Sequence, residues 1–200
     1  MELSQDTSKK LLTFLLKDFI SNHSVSSLAK ELNLSRVGIW KILKKLENHN
    51  YIVLEPIGPG KTSTFIIKLN WNNLLIERLL SFYLLEEAVI NRKWQVNFAD
   101  LENEVNFLIV YGSILSNPKQ ANDIDILCIA NKNKFIKIQT LIDKIQKTQS
   151  KKIHTLSFTE NEFKLELNRN NKAFLEAIKK GIILFGQDNF IKFLKNVKNG

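Results

Sequence analysis

Phe107-Leu108-Ile109-Val110-Tyr111-Gly112-Ser113 and, after nine intervening residues, Asp123-Ile124-Asp125-Ile126-Leu127-Cys128-Ile129 decide how this 200-residue chain is read. The apolar runs 107–110 and 126–129 are short and β-branched, which suits buried strands better than helices. A Gly-Ser pair leaving the first strand gives a small turn with exposed backbone N–H groups, as phosphate binding requires. Side chains alternate along a strand, so Asp123 and Asp125 point to the same face. Neighbouring carboxylates repel each other, and a divalent cation with phosphate oxygens removes that cost. Phosphates, Mg²⁺ (or Mn²⁺) and a two-carboxylate strand together point to phosphoryl or nucleotidyl transfer. Cys128, inside the second run, reads as a buried small hydrophobe.

These residues resemble the signature of the polymerase-β-like nucleotidyltransferase superfamily, in particular its minimal nucleotidyltransferase branch. The resemblance continues in Phe158-Thr159-Glu160-Asn161-Glu162-Phe163 and in Gly181-Ile182-Ile183-Leu184-Phe185-Gly186, and it covers residues 95–200. It implies a domain that takes a nucleoside triphosphate with Mg²⁺ and transfers a nucleoside monophosphate to a hydroxyl. Gly112 and Ser113 would hold the phosphates, and Asp123 and Asp125 would be both metal ligands and catalytic carboxylates.

The chain departs from that branch in two places. Ile114-Leu115-Ser116-Asn117-Pro118-Lys119 replaces the usual Ala-Arg-Gly-like segment, leaving Lys119 as the substitute cation for the phosphates. The expected strand 151–158 carries no acidic residue, although catalytic members place a third carboxylate there. His154 on that strand and Glu160 just beyond it are the candidates for the role. The third group positions or deprotonates the attacking hydroxyl, so its loss removes most activity and leaves Mg-nucleotide binding.

Composition bounds the setting. A single cysteine excludes an internal disulfide framework and a Cys-rich zinc site, so a reducing, cytoplasmic location is expected. No apolar run approaches the roughly 20 residues needed to span a bilayer, and Met1-Glu2-Leu3-Ser4-Gln5-Asp6 is unlike a signal peptide. A formal net charge of +9 favours polyanionic partners.

Residues 1–70 carry ten basic and six acidic side chains. Leu11, Leu12, Leu15, Leu16, Phe19 and Ile20 give residues 8–21 one apolar helical face. Ser26 is expected to cap a second helix over 27–32, with Leu28, Ala29 and Leu32 inward. After an Asn33-Leu34 turn, Ser35 caps a third helix over 36–48. There Val37, Ile39, Trp40, Leu43 and Leu46 are spaced for packing, and Arg36, Lys41, Lys44 and Lys45 form the polar face. Two strands, 51–54 and 64–67, flank the hairpin tip Gly58-Pro59-Gly60-Lys61-Thr62-Ser63. Three helices and a β-hairpin in this order resemble the winged helix-turn-helix family. That resemblance implies double-stranded DNA as partner: Ser35 and Arg36 near bases or phosphates, and Lys41, Lys44, Lys45 and Lys61 on phosphates. The alternative is a winged helix that mediates protein contacts alone.

Residues 71–93 read as one long helix with little polar surface, which must be buried against more than one neighbour. It is either packed between two domains or a homodimer seam. Further helices are expected over 132–149, 171–180 and 188–197. The expected architecture is mixed α/β (α+β). It comprises a winged helix-turn-helix domain (1–70), a linker or dimerisation helix (71–94) and a nucleotidyltransferase-like domain with a small mixed sheet (95–200). Besides the enzyme, two other roles fit: a degenerate transferase domain in a nucleotide-sensing transcriptional regulator, and an antitoxin-like protein holding a helical partner.

Overall fold

The computed structural model describes residues 2–57 and 64–198, so the expected hairpin tip, Lys61 included, lies outside the described residues. The chain is mixed α/β and divides into two compact units, residues 1–83 and 84–200.

The first unit runs α1 (Glu2–Lys17), α2 (Val25–Glu31), α3 (Arg36–Asn48), β1 (Ile52–Ile57) and β2 (Thr64–Leu69), the two strands pairing antiparallel. α1 buries Leu11, Leu12, Leu15 and Leu16, while Ile20, past the end of the helix, is exposed. α2 is capped by Ser24 and not by Ser26. Ser24 Oγ accepts from Ser27 N, and Ser27 Oγ accepts from Ser24 N, so two orphan donors are satisfied reciprocally. Ser35 caps α3 as expected, its Oγ accepting from Gly38 N at 3.0 Å. Ile39, Leu43 and Leu46 turn inward, but Val37 is 67% exposed. Its position lies on the same helical face as Lys41 and Lys44, opposite the buried stripe. His23 is buried between the helices and the hairpin: its carbonyl accepts from Ile67 N at 2.9 Å, and its ring meets Phe14 edge-on at 5.0 Å.

α4 (Leu74–Ile90) contains the division between the units. Ile76, Leu80, Leu84 and Ala88 form its buried row, one helical turn apart, whereas Leu75, Phe82, Leu85 and Val89 are exposed. The expectation of a helix buried on most sides is therefore not met within this chain. The helix also stops early: Asn91 donates through N to Ala88 O and through Nδ2 to Glu87 O, and α5 (Arg92–Asn97) follows. Among the described residues, no helix is long and apolar enough to cross a membrane.

The second unit continues through β3 (Phe107–Tyr111), α6 (Ser113–Ser116), β4 (Asp123–Ile129), α7 (Phe135–Gln146) and β5 (Lys152–Phe158). It ends with α8 (Glu160–Asn168), α9 (Lys172–Lys180), β6 (Ile182–Phe185) and α10 (Gln187–Lys198). The sheet order is β5-β4-β3-β6. β3 is antiparallel to both β4 and β6, and β5 runs parallel to β4, so the sheet is mixed. Both faces are covered, which explains the near-continuous apolar runs of β3 and β4. On one face Leu108, Val110, Ile124, Ile126 and Cys128 pack with Trp94, Phe98, Ile138, Ile142 and Ile145. Burial pushes the Cys128 thiol up to about 12, so it stays protonated and inert. On the other face Phe107 and Phe163 anchor a cluster of rings with Phe158, Phe174, Phe190 and Phe193.

Candidate metal centre

The site forms where the polar ends of β3, β4 and β5 meet. The β3–β4 register pairs Tyr111 with Asp125, and the parallel β4–β5 register pairs Asp125 with His154 and Asp123 with Lys152. Three contacts fix the level at which β5 begins. Gln146 Nε2 donates to Lys151 O at 3.0 Å, Ile153 N donates to Gln146 Oε1 at 2.7 Å, and Lys151 Nζ donates to Ala121 O. A one-residue slip would turn His154 to the opposite face, so these anchors also decide the chemistry.

With that register, His154 Nδ1 lies 3.2 Å from Asp123 Oδ2 and 3.7 Å from Asp125 Oδ1. One donor atom from each of the three residues falls within 4.8 Å of the others. The carboxylates are part-buried and the imidazole is exposed. Burial raises the Asp125 carboxyl above the ordinary value, the Asp123 charge raises it further, and His154 opposes both. Tyr111 is likewise raised, by burial first and then by the two aspartates. The two carboxylate oxygens and one imidazole nitrogen form a donor set that fits a divalent cation.

Gly112 completes the arrangement. Its φ of 85° is in the left-handed region, and a Cβ there would run into Asp125 Oδ2. The Gly-Ser turn and the Asp pair are thus in contact, and only glycine meets both the backbone and the space requirement. Ser113 is exposed at the first position of α6, and Lys119 is exposed on the turn before β4, outside the trio.

Glu160 is not near the pair. Its Oε1 accepts from Asn106 Nδ2 at 2.7 Å, just ahead of β3, whereas Asp125 sits beside the last residue of β3. Because β5 is parallel to β4, Phe158 pairs with Ile129 and the chain leaves β5 at the far end of β4 from the carboxylates. The segment around Glu160 has a structural role instead: Thr159 and Glu162 form the capping box of α8. A Thr-x-x-Glu spacing before an apolar run is the signal that identifies this helix start. Tyr111 joins the site without a chemical motif of its own; its position directly before Gly112, on the face that Asp125 shares, is the sequence signal that marks it.

The residues expected to meet DNA divide as well. Ser35 is engaged in capping α3. Arg36, Lys41 and Lys45 are exposed. Lys44 Nζ pairs with Glu47 Oε2 at 2.7 Å and lies 4.9 Å from the centroid of the Trp40 ring. Compared with protein-family models, with curated proteins and with solved structures, the chain matches none.

Proposed function

We propose that residues 84–200 form a nucleotidyltransferase-type domain that binds a nucleoside triphosphate with a divalent metal, Mg²⁺ or Mn²⁺, and that residues 1–83 bind double-stranded DNA. The observation that carries the first part is the meeting of Gly112, Asp123, Asp125 and His154 at one end of the sheet. Asp123 and Asp125 would hold the metal, and Gly112 and Ser113 would face the phosphates, with Lys119 as a further cation on the neighbouring turn. A bound metal would neutralise the phosphate oxygens and favour attack by an acceptor hydroxyl on the α-phosphorus, with loss of pyrophosphate.

A second reading has its own support. The residue beside the Asp pair on β5 is His154, and no third carboxylate joins the trio among the described residues. Such a domain holds metal and triphosphate but transfers slowly, as suits a nucleotide-sensing regulator or an antitoxin-like protein holding a partner. For DNA, the support is the outward row of Lys41 and Lys45 with Val37 on α3, a face able to meet phosphates and thymine methyl groups. The exposed Phe82, Leu85 and Val89 of α4 support a homodimer through that helix.

Two experiments test the proposal on the full chain. Labelled triphosphates with Mg²⁺ or Mn²⁺ should raise the melting temperature of the wild type, and Asp123→Asn combined with Asp125→Asn should abolish the shift. Equal stabilisation of both proteins would remove the triphosphate site. Label incorporated into an acceptor selects the enzyme, and binding without incorporation selects the second reading. Duplex binding should weaken steeply with salt, and Lys41→Ala with Lys45→Ala should reduce the log–log slope by about 2. Salt-insensitive association would point to a protein partner.

A further inference from the structure

We infer that His154 is itself a metal ligand, and that the site it completes takes a first-row transition-metal dication, from Mn²⁺ to Zn²⁺, in preference to Mg²⁺. The inference rests on the proposed metal site at Asp123 and Asp125 and specifies its ion.

Geometry is the first argument. Ligands bound at about 2.1 Å lie about 3.0 Å apart when adjacent in an octahedron and about 3.4 Å apart in a tetrahedron. His154 Nδ1 is 3.2 Å from Asp123 Oδ2, a separation a shared ion imposes, and 3.7 Å from Asp125 Oδ1, slightly beyond it, so a small side-chain rotation brings all three donors onto one ion. The strand that carries the imidazole is also held where it is. Gln146 fixes β5 on both sides of Lys152 through Lys151 O and Ile153 N, and the ladder sets His154 level with Asp125. Asp125 in turn lies against the Cβ-less Gly112, so its carboxylate has a defined seat independent of the histidine. β5 is the edge strand of its sheet and His154 is exposed, which leaves room for water or phosphate oxygens to complete the coordination.

Chemistry decides the ion. Mg²⁺ demands hard oxygen donors and keeps its own waters, whereas imidazole suits iron, nickel, copper and zinc, and the affinity of a mixed nitrogen and oxygen site rises along the first-row series from Mn²⁺, its weakest-bound member. A third carboxylate at this place would make an all-oxygen site. A nitrogen there shifts the preference away from Mg²⁺.

The test is metal binding by the full chain, without nucleotide. Mn²⁺ would be followed by loss of its free electron-paramagnetic-resonance signal, Mg²⁺ by calorimetry, and bound Mn²⁺ by nitrogen coupling in pulsed resonance spectra. The wild type should bind Mn²⁺ at least about tenfold more tightly than Mg²⁺ and show a coupled nitrogen. His154→Ala should lose that coupling and about 10- to 100-fold of Mn²⁺ affinity, with little change for Mg²⁺. His154→Asp should bring the two ions close together. Absence of nitrogen coupling in the wild type, or equal loss of both ions in His154→Ala, overturns the inference and leaves the histidine as a hydrogen-bond partner of Asp123. Mn²⁺ binding that survives Asp123→Asn with Asp125→Asn overturns it differently, because then the proposed metal site itself is absent.

Discussion

The two ends of β4 share one strand, one face and opposite chemistry. Asp123 and Asp125 alternate in step with Leu127 and Ile129, yet the first pair is part-exposed carboxylate and the second is fully buried. At the buried end Phe107, Phe163 and Phe193 lie within 6.4 Å of one another, ring centre to ring centre. At the open end an unfavourable concentration of charge is held against a glycine turn. The aromatic end supplies packing that holds the strands together, and the polar end, where Gln146 and Lys151 anchor β5, uses the register to bring three donors together.

The largest expected effect breaks the packed end. Phe163→Ala empties the centre of the ring cluster and should cost about 3–5 kcal/mol in denaturant unfolding. A loss under about 1 kcal/mol would show that the ring cluster does not carry the packing of that end. Next comes the joint between turn and carboxylate. Gly112→Ala forces a Cβ toward Asp125 at a left-handed φ, and should cost about 1–3 kcal/mol together with most of the metal affinity. Metal titration that matches the wild type would mean the turn does not seat Asp125. Thr159→Ala removes a cap at the packed end and should cost about 1 kcal/mol, with metal binding unchanged.

The smallest effect has the opposite sign. In metal-free protein, burial and the Asp123 charge raise the Asp125 carboxyl in the folded state above its ordinary 3.8. The folded state therefore holds that proton more tightly than the unfolded chain, so stability falls as pH rises through the raised value. Asp125→Asn lacks this penalty. Thermal unfolding in chelator should show the variant slightly more stable than the wild type near neutral pH, with the gap vanishing below the ordinary carboxylate range. A variant less stable at all pH values would show that the charge is compensated in the folded state.

Much of the contrast between the two ends is legible in the sequence. The β3–turn–β4 unit and the Ser35 cap of α3 follow from alternation and capping chemistry alone. Other features depended on what lies across from a residue. Val37 fits a packing pattern but is exposed, because periodicity fixes relative spacing and not which side meets the core. Ser26 and Ser24 are equal as caps until Ser27 is placed to reciprocate. Glu160 looks close to His154 along the chain, and only the parallel direction of β5 carries it to the far end. The apolar positions of α4 predict burial, yet those in a single chain can bury just one row.

The parallel pairing has one more consequence, in the order of assembly. β3 and β4 are neighbours in sequence, so the Gly112 turn and the Asp pair can meet through short-range contacts. His154 reaches them only after α7 has crossed over the sheet and β5 has docked, a longer loop closure that is entropically slower. Refolding should therefore pass through a stage in which the carboxylates are paired and the imidazole is not yet beside them. Stopped-flow refolding in the presence of Mn²⁺ would then show nitrogen ligation as a late event, trailing the burial of the β3–β4 hairpin.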